Sequence, residues 1–143
     1  MPEEYGRLVE LARQAAASAY SPYSGVKVGA AILTSDGKVY QGCNVENSSY
    51  GLSICAERVA AVKAVSAGST GIRAVAVTAN LEGLTYPCGA CRQFLAEFSD
   101  DAKVILAPPA GKPEVFELKE LIPGAFLLKG RSGAPTGDRP APP

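Results

Sequence analysis

Two cysteine clusters constrain the fold of this 143-residue chain more than any other feature of its sequence. One is Cys55-Ala56-Glu57, and the other is Pro87-Cys88-Gly89-Ala90-Cys91. Cys88 and Cys91 are three residues apart at the predicted start of a helix, so their side chains share one face. Cys55 begins a second predicted helix. If both helix starts meet, three thiolates can hold one Zn²⁺ and leave a fourth tetrahedral position for a water, which the metal activates.

Two other arrangements of these cysteines are a closed structural zinc site and a redox pair. A closed site needs a fourth ligand, and the one remaining cysteine, Cys43, lies alone in a predicted strand. We interpret Cys43 as a small buried apolar residue. A redox Cys-x-x-Cys does not require a distant Cys-x-Glu. The pattern therefore favours a catalytic zinc over both alternatives.

Composition narrows the classes of function. Lys plus Arg and Asp plus Glu number 14 each, and this balance argues against a surface that binds nucleic-acid polymers by neutralising phosphates. We find no apolar run long enough to span a bilayer and no secretory signal, and we predict a cytoplasmic protein without membrane contact. Histidine is absent, which excludes serine–histidine and cysteine–histidine hydrolases.

Periodicity and turn signals predict one layered α/β domain over residues 1–129. Its mixed sheet has about five strands with helices packed on it. Two predicted helices cover 3–19 and 55–67, and a third begins at Pro87. The predicted strands cover 26–33, 39–45, 72–78, 103–107 and 114–116. The helix at 55–67 is apolar nearly all round, which predicts burial. Residues 130–143 are rich in Gly and Pro, and we predict a mobile tail there.

Glu57 is the predicted proton carrier. Its carboxylate could reach the open position on the metal without binding the ion, and could move protons between water and substrate. The alternative is a glutamate that only stabilises a helix N-terminus. Three thiolates on Zn²⁺ carry a net charge of −1. Arg58 is the first candidate for the cation that offsets this charge, and Arg92 is the second.

The runs Cys55-Ala56-Glu57-Arg58 and Pro87-Cys88-Gly89-Ala90-Cys91-Arg92-Gln93 closely resemble the cytidine deaminase family. The likeness extends from Ser21-Pro22-Tyr23-Ser24 to residues 121–126. It implies a cytidine deaminase-like fold, one Zn²⁺ per subunit and a homotetramer. It also implies hydrolysis of cytidine, and of 2′-deoxycytidine, to the uridine product and ammonia in pyrimidine salvage.

The resemblance also assigns substrate contacts. Asn44 and Glu46 match the pair that binds the ribose hydroxyls, and the backbone N–H of Ala56 matches the donor to the pyrimidine carbonyl. Arg58 matches the arginine that bonds the cysteine thiolates. Tyr50 and Phe126 match aromatic residues that a neighbouring subunit contributes to the pocket.

One position departs from the family pattern. Val26 stands where an aromatic ring usually stacks on the base, so the pocket keeps an apolar wall without that ring. A deaminase of another aminopyrimidine nucleoside, such as blasticidin S, is therefore a second reading. An enzyme that edits polynucleotides and a non-catalytic zinc-stabilised binding module are two further rivals.

Overall fold

A mixed five-stranded sheet forms the middle layer of the structure, a computed structural model described over residues 1–128. The strands are β1 (Val28–Thr34), β2 (Val39–Cys43), β3 (Ile72–Ala79), β4 (Lys103–Ala107) and β5 (Glu114–Glu117). Their order across the sheet is β2-β1-β3-β4-β5, and β3 and β4 run parallel while the other neighbouring pairs run antiparallel. This architecture confirms the predicted mixed α/β sheet.

Helices cover both faces of this sheet. They are α1 (Glu3–Ala16), α2 (Ala56–Ser66), α3 (Gly89–Ala96) and the short α4 (Leu118–Leu121), with a 3₁₀ turn at Tyr50–Leu52. α1 packs on β1 and β3, whereas α2 packs against β1 and β2 on the other face and contacts α3. None of the helices in the described part of the chain has the length and apolar character needed to cross a bilayer.

Alternating side chains of the strands divide the apolar core in two. Ala30 and Ile32 of β1 face α2 and α3, while Ala31 and Leu33 face α1. This alternation is the period of two that a strand imposes on its side chains. β3 is buried along nearly its whole length, as its continuous apolar sequence predicts.

Gly42 of β2 lets α2 lie directly against the sheet. A Cβ atom at this position would lie 2.5 Å from the carbonyl oxygen of Ala56 and 2.5 Å from the backbone nitrogen of Ala60. Such distances are far inside van der Waals contact, so no larger residue fits without moving the helix. Because Ala56 is the first residue of α2, this contact also sets the position of Cys55.

Several predicted boundaries differ from the observed ones. α1 ends at Ala16 rather than residue 19, and β2 ends at Cys43 because Val45 forms separate bridges with Tyr20 and Ile54. The helix predicted to be buried all round exposes 43% of Val62 in the single chain, so α2 buries only one side. The predicted tail at 130–143 lies outside the described residues.

Candidate active site

Two helix starts meet at the candidate site. Cys55 immediately precedes α2, and Cys88 immediately precedes α3, each with an extended backbone. Cys91 lies in the first turn of α3 and is fully buried. Pro87 precedes Cys88 and disfavours a helical conformation for the residue before it, so the helix does not extend further towards the N-terminus. The unpaired N–H groups and the dipole at each helix start favour negative charge at this point.

The sulfur atoms of Cys55, Cys88 and Cys91 all lie within 4.8 Å of one another. Those of Cys55 and Cys88 are 3.8 Å apart. Zn–S bonds of about 2.3 Å at tetrahedral angles put two sulfurs about 3.8 Å apart, so this spacing fits zinc. Within residues 1–128 no fourth cysteine, aspartate or glutamate belongs to the group, which is the composition expected of an open site.

Cys43 and Arg92 have no part in this cluster. Cys43 is a half-buried free thiol at the end of β2. Arg92 donates from Nε to the Pro87 carbonyl at 2.7 Å and from Nη1 to the Leu121 carbonyl at 2.8 Å. These bonds hold the start of α3 and the end of α4 together. Of the two arginines considered from the sequence, only Arg58 contacts a cysteine sulfur by these bonds.

Arg58 supplies positive charge beside the thiols. Its Nη2 donates to the Cys55 sulfur at 3.7 Å, and its Nε is buried without a hydrogen-bond partner among the described residues. Hydrogen bonds from the Cys91 thiol and the Arg58 guanidinium lower the pKa of Cys55 to about 5. The hydrogen bond between Cys91 and Cys55, followed by burial, raises the pKa of Cys91. One thiolate thus forms readily beside the Arg58 guanidinium.

Glu57 is a buried carboxyl group next to this cluster, with only 3% of its surface exposed. Burial foremost, together with the nearby Cys55 thiolate, raises the pKa of Glu57 to about 7. The side chain lines a cavity of about 290 Å³ together with Cys55 and Cys88. A carboxyl group that titrates near neutral pH can both accept and donate a proton.

Glu46 lines the same cavity and is held by a neighbouring loop. Its carboxylate accepts hydrogen bonds from the Ser24 hydroxyl and from the backbone N–H groups of Tyr23 and Ser24. These donors, the Ser24 hydroxyl foremost, lower the pKa of Glu46. Glu46 is therefore an oriented, ionised acceptor. Nothing in the local sequence assigned Ser24 this contact, because its partner lies 22 residues away.

Asn44 also lines the cavity, but its amide group already binds the backbone. Its Oδ1 accepts from the Val28 N–H at 2.8 Å, and its Nδ2 donates to the Val26 carbonyl at 2.8 Å. One Nδ2 hydrogen and one Oδ1 lone pair remain for another partner. Val26 is held beside Asn44 in this way and is half-buried, although the apolar side chains that line the cavity are Val28, Ile54 and the aromatic Tyr86.

The three remaining predicted residues lie in different surroundings. Ala56 is fully buried at the first position of α2, where a backbone N–H has no intrahelical acceptor. Tyr50 is 74% exposed and contacts Tyr23, at a ring-centroid distance of 5.6 Å, beside Glu46. Phe126 is 70% exposed, and its carbonyl accepts a hydrogen bond from Gln93 Nε2. Tyr50 and Phe126 thus project from the surface of the single chain.

Comparison with known proteins places the chain in a family. The family described as the cytidine and deoxycytidylate deaminase zinc-binding region matches residues 2–107. Cytidine deaminase of Sporosarcina psychrophila is 47% identical over 129 residues, which cover 90% of this chain and 95% of that protein. Cytidine deaminase of Halalkalibacterium halodurans is 48% identical over 85% of this chain and 93% of its own.

Solved structures agree with this result. The crystal structure of cytidine deaminase from Burkholderia pseudomallei superposes with a TM-score of 0.82 at 45% identity, and the match covers 88% of this chain and all of that one. The cytidine deaminase structure from Mycobacterium tuberculosis gives a TM-score of 0.76 at 41% identity, over 89% and 100% of the two chains. Sequence, fold and thiol cluster agree, and the chain belongs to the cytidine deaminase family of zinc-binding enzymes.

Proposed function

We propose that this protein hydrolyses cytidine, and also 2′-deoxycytidine, to the corresponding uridine nucleoside and ammonia. The observation that carries the proposal is one cavity lined by two of the three clustered cysteines, the buried Glu57 and the polar pair Asn44 and Glu46. A reacting base and a sugar could occupy the two ends of that cavity. The names of the most similar relatives support the same substrate class.

Cys55, Cys88 and Cys91 would hold the zinc ion. Bound there, zinc would supply the Lewis acidity that activates a water molecule near neutral pH. The formal charges of one Zn²⁺ and three thiolates sum to −1, and the Arg58 guanidinium brings the sum to zero. Its orphaned Nε could bond a second thiolate once all three sulfurs are deprotonated.

Glu57 would carry the protons of the reaction. The carboxylate removes a proton from the attacking water and delivers it to N3 of the pyrimidine, which makes C4 more electrophilic. It then takes the proton of the new hydroxyl group on C4 and passes it to the amino nitrogen, so that the C4–N bond breaks, the C4 carbonyl forms and ammonia leaves. Each transfer needs a carboxyl group that exchanges protons near pH 7, and the burial of Glu57 provides this.

Asn44 and Glu46 would bind the sugar. The Glu46 carboxylate accepts from a ribose hydroxyl, and the free Nδ2 hydrogen of Asn44 donates to one. The Ala56 N–H would bind the pyrimidine carbonyl, and Val26 would contribute apolar surface near the base. Binding energy from the sugar thereby orients the reacting carbon against the metal and Glu57.

A homotetramer would complete the pocket. Support comes from large apolar side chains that the single chain leaves exposed, among them Tyr50, Phe126 and Val62. We propose that Tyr50 and Phe126 extend into the pocket of a neighbouring subunit. An isolated monomer would then bind substrate poorly, which light scattering combined with an activity assay can test.

Residues 1–129 would form the whole catalytic domain, with 130–143 as an accessory tail. Removing residues 130–143 should then leave cytidine turnover unchanged. Three reduced thiols are needed for zinc, which supports a cytoplasmic location. The role that we propose in pyrimidine salvage follows from the proposed substrates, cytidine and 2′-deoxycytidine.

The deciding experiment measures ammonia release from cytidine, from blasticidin S and from single-stranded DNA or RNA. The account expects cytidine and 2′-deoxycytidine to be turned over. Blasticidin S is the second candidate, because Val26 lacks the stacking ring that the family usually has at this position. Release from blasticidin S alone would establish that alternative, and release from polynucleotides would show an editing enzyme.

A further inference from the structure

Residues 25–28 lead into β1 and are hydrogen-bonded by two asparagine side chains, Asn44 on one side and Asn80 on the other. We propose that Asn80 is a positioning residue for substrate binding, which fixes this segment from the side opposite the sugar ligand Asn44. The inference rests on the proposed function, because it assigns the sugar to Asn44 and Glu46. Asn80 itself does not line the cavity that Cys55, Cys88 and Glu57 line.

The Asn80 side chain acts as a substitute peptide group. Its Oδ1 accepts from the Lys27 N–H at 2.9 Å, and its Nδ2 donates to the Gly25 carbonyl at 3.0 Å. Asn44 uses the same pattern one residue further along, accepting from an N–H and donating to the carbonyl two residues before it. Each amide thereby imitates the hydrogen bonds of a neighbouring strand.

The backbone of Asn80 continues the regular ladder into this contact. Val28 pairs with Ala79 at the last position of the β1–β3 ladder, and the Asn80 N–H then donates to the Lys27 carbonyl at 3.1 Å. Gly25 has a φ of +73°, so the chain turns sharply at the point where the Asn80 amide holds it. Without that amide, water would replace the bonds to Lys27 and Gly25, and the turn could shift.

A shift of this segment would reach both proposed sugar ligands. Asn44 is bonded directly to Val26 and Val28. Ser24, whose hydroxyl bonds Glu46, also accepts a hydrogen bond from the Val26 N–H at 3.0 Å. The thiols and Glu57, in contrast, are carried by the starts of α2 and α3. Loss of the Asn80 amide should therefore weaken substrate binding more than it slows the chemical step.

Steady-state kinetics of Asn80→Ala with cytidine tests the proposal. We expect KM to rise about five- to tenfold, the size of one or two lost neutral hydrogen bonds, with kcat within about twofold of wild type. Asn80→Asp keeps the acceptor for Lys27 but cannot donate to Gly25 when ionised, so its KM should also rise. Zinc content should remain that of wild type in both variants.

A matched control separates positioning from general stability. Gln41 donates from its side-chain amide to the Leu11 carbonyl at 2.8 Å, between β2 and α1. Gln41→Ala removes an equivalent long-range bond, and we expect a lower Tm with unchanged KM. An unchanged KM in Asn80→Ala would overturn the proposal. It would also be overturned if Gln41→Ala changed kcat and KM as much as Asn80→Ala does for the same loss of Tm. A wild-type enzyme inactive on cytidine would instead overturn the proposed function.

Discussion

The Sγ atoms of Cys55 and Cys88 lie 3.8 Å apart although 33 residues separate them in the sequence. Each cysteine immediately precedes a helix, so the contact brings two helix starts to one point. The buried Glu57 is the second residue of α2 and directly follows Ala56. A candidate metal site and a buried carboxyl group are thereby combined at the edge of one cavity.

Replacing Glu57 with glutamine should abolish turnover while the metal stays bound. The amide has nearly the same shape but cannot exchange protons, and a general acid–base group typically contributes about 10²–10⁴-fold to rate. We expect kcat to fall by at least about 10³-fold. Zinc analysis of the same sample should give one ion per chain. Substantial residual activity in Glu57→Gln would show that another group carries the protons. If the protein were a non-catalytic zinc-stabilised binding module, the wild type itself would show no activity.

Arg58→Ala should leave a zinc site with uncompensated negative charge. Partners outside the metal ligands commonly change metal affinity or activity by about 10–100-fold, and we expect a loss of that size in kcat/KM. Arg58→Lys restores the charge without the planar set of N–H donors, so it should recover only part of the rate. Full recovery by lysine would show that charge alone matters.

Gly42→Ala should disturb the site by moving α2. A new Cβ would meet the Ala56 carbonyl at 2.5 Å, and overpacking of this kind costs about 1–3 kcal/mol. We expect a lower Tm together with reduced zinc content and activity in the folded protein. Leu8→Ala is the control, because this residue is buried against the opposite face of the sheet.

The control should lose about 2–5 kcal/mol of stability while its folded fraction keeps zinc and turnover. Equal loss of zinc in both variants would mean that the site reports general destabilisation. The contact between Gly42 and α2 would then have no specific part in placing Cys55.

Ser24→Ala should change the pH dependence of nucleoside binding. The Ser24 hydroxyl is the main cause of the lowered pKa of Glu46, so its removal raises that pKa toward the ordinary value of 4.5. The ionised acceptor is present above the pKa and is lost as pH falls through it. Uridine affinity in the variant should therefore begin to fall at a higher pH than in wild type, measured from about pH 7 down to about pH 4.5.

If uridine affinity falls at the same pH in wild type and in Ser24→Ala, Glu46 does not hold the sugar through an ionised carboxylate. Thermal unfolding at pH 7 serves as the control, since the bonds at Ser24 are exposed and should contribute little to global stability.

The cysteine cluster could be predicted from sequence because each motif contains its own local geometry. A helix start brings Cys88 and Cys91 onto one face, and a flanking proline marks where that helix begins. β4 was predicted at its observed bounds, since a continuous apolar run between polar residues and prolines defines both ends. The three-thiolate pattern predicts that the two motifs meet at one metal ion, and the resemblance to a known family supports the same prediction.

The residues that support the site could not be found in the same way. Asn80 bonds Gly25 across 55 residues, and Ser24 bonds Glu46 across 22 residues, so neither contact leaves a periodic or local signal. α4 was also missed, because four residues are too few to show helical periodicity. The roles of Asn44, Glu46, Tyr50 and Phe126 toward substrate stay predictions.

X-ray absorption at the zinc edge, on a sample that deaminates cytidine, tests whether three cysteines and one further ligand hold the metal. We expect one zinc per chain with three sulfur neighbours at about 2.3 Å and one oxygen or nitrogen at about 2.0–2.1 Å. Four sulfur neighbours would mean that Cys43 closes the site. An active sample without zinc–sulfur bonds would contradict the assignment of Cys55, Cys88 and Cys91 altogether.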